Sequence, residues 1–225
     1  MLVKRRFGGA VVAVALGLSV AACGTRTGHA DVADMPESLA ADGTSIVVGD
    51  AAAHRTVRLY EDPRCPACEE FETTGAGPEL QKLTLSGTVQ VRYTLASFLD
   101  GKLGGNGSKK AVNALRAALE EGKFVEYHQV LYANQPEEAV DGFTDEVLLK
   151  LASRVEGLRG TDFDSAVRTM KYQAFVDASE RVFQNSIADG TPTMVIDGVP
   201  LPELQAGMIL FGEGYLTRYI KESAG

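Results

Sequence analysis

The sequence predicts an α/β domain: a small mixed sheet flanked by helices, with a helical block inserted between its third and fourth strands. Three observations predict it. Short apolar runs of strand character lie around 45–60, 89–95 and 194–197. Apolar residues at helical spacing fill much of the stretch between about 105 and 188. That stretch is too long for a loop in a compact domain, so it reads as an insertion. A chain of 225 residues suits one domain with a sizeable core.

Ser45 to Val48 and Thr56 to Tyr60 read as the first two strands, with a polar turn at Gly49-Asp50. A helix follows from Cys65 to about Leu83, which Gly75, Gly77 and Pro78 should break in two. Val89 to Leu95 alternates, placing Val89, Val91, Tyr93 and Leu95 on one face of a strand. Gly101 to Ser108 reads as a Gly-rich loop. In the insertion, Val112, Leu115 and Leu119 recur at helical spacing before Gly122, and Phe124, Tyr127, His128 and Leu131 form the next face. Thr144 can cap a third helix, with Asp145 and Glu146 in its first turn. A long helical region runs from Thr161 or Asp162 to about Ala188. Met194 to Asp197 is a strand turning at Asp197-Gly198, and Leu204 to Lys221 a closing helix interrupted around Gly212 and Gly214.

The N-terminus carries an export pattern. Lys4-Arg5-Arg6 is a basic region, Phe7 to Ala22 is uncharged and mostly apolar, and Val20-Ala21-Ala22-Cys23 ends it with small residues before a cysteine. This resembles a bacterial lipobox. It implies a lipoprotein signal over 1–22, lipidation at Cys23, and a chain outside the cytoplasm held to the cell membrane by that lipid. An uncleaved anchor, or an ordinary signal peptide with a chance cysteine, would be the plainer alternatives. Arg5-Arg6 also suits the twin-arginine route. Residues 23–44, rich in Gly, Ala, Thr and Asp, read as a flexible tether, leaving 45–225 as the folded domain. Loss of 1–22 would take the formal charge from −8 to −11, which argues against nucleic acid as a partner.

The chemistry centres on Cys65-Pro66-Ala67-Cys68. Two thiols two residues apart at a helix start can close a small disulfide ring. The first sulfur faces the free N–H groups and positive end of the helix, which lowers its pKa and makes it a nucleophile and a good leaving group. Pro66 fits the first turn, where its missing N–H has no partner to lose. Arg64 can add positive charge. Structural zinc needs four ligands, and no second cysteine pair or paired histidines supply them, so no metal is expected. A purely structural ring remains a rival reading, although so short a loop contributes little stability.

Gly190-Thr191-Pro192-Thr193 precedes the Met194 strand, 127 positions after Cys65 when counted to Pro192. Alone it is a turn. Taken with the CPAC run it resembles the thioredoxin superfamily, in which a cis-proline before a strand faces the two cysteines. The long helical insertion narrows the resemblance to DsbA-like thiol–disulfide oxidoreductases. Tyr60 to Cys68, Ala111 to Ala118, Gly122 to His128 and Gly190 to Thr193 all look like that family's pattern. The resemblance spans about residues 45 to 223.

It implies a thioredoxin fold with an inserted helical domain, and Cys65 and Cys68 as the catalytic pair. Pro66, Ala67, Thr191 and Pro192 would contact substrate, the Thr191 backbone pairing with an extended peptide. The redox-active disulfide would itself be the only prosthetic device, with no cofactor. The partners would be exported proteins with cysteines and a membrane redox partner, and the protein would act as a monomer. Many relatives carry a buried acid six residues before the first cysteine, where this chain has Leu59. Glu61 or Asp62 is then a candidate proton relay to Cys68, although solvated loop charges are the simpler expectation. The middle dipeptide is Pro-Ala, so no histidine helps the thiolate, and the couple should oxidise less strongly than the strongest of its kind. His128 reads as a satisfied core histidine and His54 as exposed. A disulfide reductase or isomerase, serving cytochrome maturation for instance, and a non-catalytic peptide-binding lipoprotein are the alternatives.

Overall fold

The computed structural model describes residues 28–223. Cys23 and the export pattern lie outside them. Six strands form one mixed sheet: β1 (Glu37–Leu39), β2 (Ile46–Val48), β3 (Arg55–Glu61), β4 (Val89–Leu95), β5 (Thr193–Ile196) and β6 (Val199–Pro200). Their order is β1-β2-β4-β3-β5-β6. Only β3 and β4 run parallel, and the other pairs are antiparallel.

The β3–β4 crossover carries α1 (Pro66–Thr73) and α2 (Gly77–Leu85). The expected break between them has a steric cause. A Cβ at Gly77 would stand 2.7 Å from the Phe71 carbonyl oxygen and 2.7 Å from the Glu72 Cα. These helices pack on one face of the sheet with α9 (Glu203–Phe211) and α10 (Tyr215–Glu222). Val57, Leu59, Phe71, Leu80, Val91 and Leu216 fill that layer, each at most 1% exposed. Each such Leu or Phe contributes about 1.5–3 kcal/mol by burial. The insertion holds α3 (Leu99–Leu103), α4 (Gly107–Glu120), α5 (Phe124–Tyr132), α6 (Asp145–Ala152), α7 (Thr161–Arg168) and α8 (Gln173–Gln184). It has its own apolar core, which joins the sheet through Ile46, Val48 and Leu95. Thr144 caps α6 as expected, accepting the Val147 N–H at 3.3 Å.

Three expectations are corrected. Part of the 23–44 tether is folded: β1 pairs with β2, and Met35 is buried. The Glu37 carboxylate accepts the Phe124 and Val125 N–H groups at 2.9 and 3.1 Å, capping α5. A few anchors hold this segment, and its composition does not register them. The Gly101–Ser108 loop is instead the end of α3 and the start of α4. The long region from 161 breaks into α7 and α8 at Met170, which has φ +50°.

Candidate active site

The CPAC run sits where β3 ends and α1 begins. Cys65 is the N-cap residue, with φ −77° and ψ 119°, and Pro66 opens the helix. The Cys65 carbonyl accepts the Cys68 and Glu69 N–H groups at 3.0 and 3.1 Å, closing the first turn. The Thr191–Pro192 bond is cis, and the Cys65 thiol donates to the Thr191 carbonyl at 3.1 Å. The two motifs that lie far apart in sequence therefore meet. Pro66 is exposed, whereas Ala67, Thr191 and Pro192 are half-buried around the sulfurs.

The two thiols have opposite settings. The Cys65 thiol is lowered to about 6, first by a hydrogen bond from Cys68, then by Thr191 and the Cys68 and Ala67 N–H groups, against the cost of burial. Cys68 is fully buried, and its thiol is pushed well up by that burial, by its bond to Cys65 and by the charge of Glu61. Cys65 is also enclosed, at 8% exposure.

Arg64 does not serve the thiolate. Its guanidinium is buried and turned into the insertion, donating to Asp100 Oδ1 at 2.9 Å, the Gly104 carbonyl at 2.8 Å and the Glu138 carbonyl at 3.0 Å. Asp100 explains this: buried at the start of the insertion, it also caps α4 through the Ser108 and Lys109 N–H groups.

Glu61 and Asp62 are both fully buried, so neither is a solvated loop charge. Asp62 is an anchor. Its carboxylate accepts the Arg64 N–H at 3.0 Å, the Ser108 hydroxyl at 2.6 Å and the Leu99 N–H at 3.1 Å. Burial still raises its pKa to about 6. Glu61 belongs to a different group. Its Oε2 lies 3.0 Å from His128 Nε2, while Glu72 Oε2 lies 3.9 Å from Nδ1 of the same ring. Glu61 is raised to about 8 by burial first. Glu72 is also raised, by burial and then by Glu61, and burial lowers His128. His128 is thus a core histidine with a partner, and part of the site as well.

The ligand atoms of Glu61, Glu72 and His128 lie within 4.8 Å of one another. The 3.0 Å contact lets a proton pass between Glu61 and the imidazole, and a hydrogen bond from Glu72 lowers Glu61 and links the two carboxyls. A cavity of about 40 Å³, lined by Glu72, His128, Tyr93, Gln81 and Gln129 among others, opens beside the outer pair. It has room for a water.

Glu72, His128, Tyr132 and Asp100 escaped the sequence reading as site residues. Glu72 had a usable signal, since it follows Cys68 by four positions on one helix and so shares its face. The others are brought in by packing of the insertion. Tyr132, fully buried, packs with Cys65, Cys68 and Leu99.

The family model described as thioredoxin matches residues 41–206. No curated protein sequence matches the chain. Among solved structures, oxidised BdbD from Bacillus subtilis is similar at 21% identity, with 78% of this chain and 90% of that chain covered and a TM-score of 0.66. Reduced DsbG, a disulfide bond oxidoreductase from Mycobacterium tuberculosis, shares 24% identity over 87% of this chain and 90% of its own, with a TM-score of 0.63. MdbA, a thiol-disulfide oxidoreductase from Corynebacterium diphtheriae, shares 18% over 84% and 93%, with a TM-score of 0.62.

Proposed function

The chain belongs to the thioredoxin family and has the fold of its DsbA-type members, and from that premise we propose that it is a thiol–disulfide oxidoreductase acting on exported proteins outside the cytoplasm. One observation carries the reading: a low-pKa Cys65 lies at the helix start against the Thr191 carbonyl, with a high-pKa Cys68 sealed beneath it.

In the oxidised form, a substrate thiolate attacks the Cys65 sulfur. The Cys65–Cys68 bond breaks, a substrate–Cys65 disulfide forms, and Cys68 leaves with the electron pair. A second substrate thiolate attacks the substrate sulfur of that mixed disulfide. The substrate leaves with a disulfide and Cys65 leaves as a thiolate. The substrate is oxidised by two electrons and the protein reduced by two. A thiolate held near 6 is a good leaving group, which favours this direction.

Cys68 cannot stay ionised in its setting and must take a proton. Glu61, protonated near neutral pH, is the donor in this reading, and His128 and Glu72 resupply it from the cavity side. Asp62 has no part, because both its oxygens hold the loop. Reoxidation would fall to a membrane redox partner, and lipid on Cys23 would keep the two together.

The test is direct. The oxidised protein is mixed with a reduced, unfolded cysteine-containing protein, and the thiols are trapped and counted. The chain has no Trp, so trapping reads the redox state. The expected result is loss of two substrate thiols for each protein dithiol formed. An inert wild type, or an equally active Cys65→Ser variant, overturns the reading. Mass spectrometry of the exported protein checks for lipid at Cys23.

A further inference from the structure

The turn that aims Cys65 is held from outside its own helix. Gln135 follows α5 in the connection to α6, with its N–H bonded to the Tyr132 carbonyl at 3.2 Å. Its side-chain amide nitrogen reaches the Pro63 carbonyl at 2.6 Å and the Cys65 carbonyl at 3.1 Å. Both partners are acceptors only, so the amide must present its NH2 group here, and each of its two hydrogens has a carbonyl. Arg64, between those two residues, bonds the Glu138 carbonyl of the same connection at 3.0 Å. Three hydrogen bonds therefore tie residues 135–138 of the insertion to residues 63–65.

We propose that Gln135 is a positioning residue of the redox couple, holding the backbone on both sides of Arg64 so that the Cys65 sulfur stays aimed at the helix start and at Thr191. The assignment rests on the exchange reading above. Its physical basis is local. The Cys65 carbonyl is the first acceptor of α1, so its orientation fixes how the sulfur meets the Ala67 and Cys68 N–H groups. Hydrogen bonding within α1 holds that carbonyl from one side, and Gln135 holds it from the other. The titratable groups around Cys65 are Cys68 on the same helix, Glu61 at the end of β3 and Tyr132 of α5, which packs on the pair. Gln135 is neutral, so its effect on the sulfur is positional.

The experiment compares Gln135→Met, of similar size but with no donor, with Gln135→Lys, which keeps donors on a long stem. Cys65 ionisation is read from the pH dependence of iodoacetamide alkylation in the reduced protein, and global stability from urea unfolding. Gln135→Met is expected to move the Cys65 midpoint up by about half a unit, a fall of about threefold in the thiolate-to-thiol ratio at a fixed pH. Gln135→Lys should leave it at or below the wild-type value. An unmoved midpoint in Gln135→Met, or an equal rise in both variants, overturns the proposal. Alkylation needs no exchange partner, so this result stands apart from the turnover assay. A wild type inert in turnover would sink the exchange reading while a midpoint shift still upheld the positioning role.

Discussion

The two sulfurs of one helical turn lie in two different media. Around Cys65 the Cys68 thiol comes first, as a hydrogen-bond donor, followed by Thr191, the Cys68 and Ala67 N–H groups and the carbonyls that Gln135 clasps. Around Cys68 the groups are buried side chains, with Glu61 from β3 and, beyond it, Glu72 from α1 and His128 from α5. The groups around Cys65 donate hydrogen bonds to the sulfur or orient the turn around it, so the first environment acts by favouring a charge. The second can accept and release protons. The comparison teaches that one sulfur is set by the hydrogen bonds donated to it, and the other by burial among titratable side chains.

The largest effect should come from breaking the pair itself. Cys65→Ser is expected to lose exchange completely and to trap no partner. Cys68→Ser should accumulate mixed disulfides with cysteine-containing substrates, visible on non-reducing gels, because the internal escape from the Cys65 adduct is gone. Trapping by Cys65→Ser alone would reverse the roles assigned to the two media.

The next effect is on stability. Arg64 and Asp100 form a buried pair at 2.9 Å, and Arg64→Met strands Asp100. The expected loss is about 3–5 kcal/mol, read by urea unfolding. Unchanged stability would mean that the guanidinium is not committed to Asp100 and would return it to the neighbourhood of the thiolate.

The Cys65 side was largely legible in the sequence, and the reason is physical. A CxxC at a helix start, Pro66 in the first turn and a distant Thr191-Pro192 before a strand are local patterns, and backbone geometry makes most of that environment. Strand β4 was legible to the residue for a similar reason, since its alternation spans the whole element. The Cys68 side was not. His128 lies sixty positions beyond Cys68, and only the docking of α5 brings it to Glu61. Arg64 misled because its neighbour in sequence is a sulfur, whereas its partner Asp100 is reached only through the fold. The 23–44 segment misled because composition registers many weak contributions and misses one buried Met35 and one capping Glu37.

Glu61→Gln sharpens the proton side. In the folded reduced protein Glu61 holds its proton to about 8, against 4.5 for the free group. Across that window the native state binds a proton that the unfolded chain has released, so stability falls as pH rises from about 4.5 to 8. Cys65, lowered to about 6, has the opposite sign, adding stability as pH rises from 6 toward 9. A Cys65→Ser background removes that opposing slope. There, Glu61→Gln should lessen the remaining fall, leaving the share that Asp62 and Glu72, also raised by burial, contribute. In the otherwise wild-type protein it should slow turnover by about 10²-fold. A slope identical with and without Glu61 would assign the whole fall to the other raised carboxyls.

The smallest expected effect belongs to Ala67, and it isolates electrostatics from burial on the Cys65 side. Ala67 offers its N–H to the sulfur, but its side chain carries no charge. Ala67→His places an imidazole at a half-buried position beside both cysteines without removing that N–H. When protonated, the ring adds a positive charge near a thiolate already held by dipoles. The thiolate is then favoured further, and the Cys65 midpoint should fall by about half a unit to one unit, or about 1 kcal/mol. Because the reduced form gains that stabilisation, the couple becomes more oxidising by about 15–30 mV. The effect must fade above the imidazole's own titration, near pH 6.5 for an unperturbed ring, whereas the backbone contribution persists. Alkylation against pH, paired with equilibration in a thiol redox buffer, reads both quantities. A shift that survives well above that pH would mean that the ring acts by packing rather than charge. No shift at any pH would mean that the Cys68 hydrogen bond and the backbone N–H groups already saturate the sulfur.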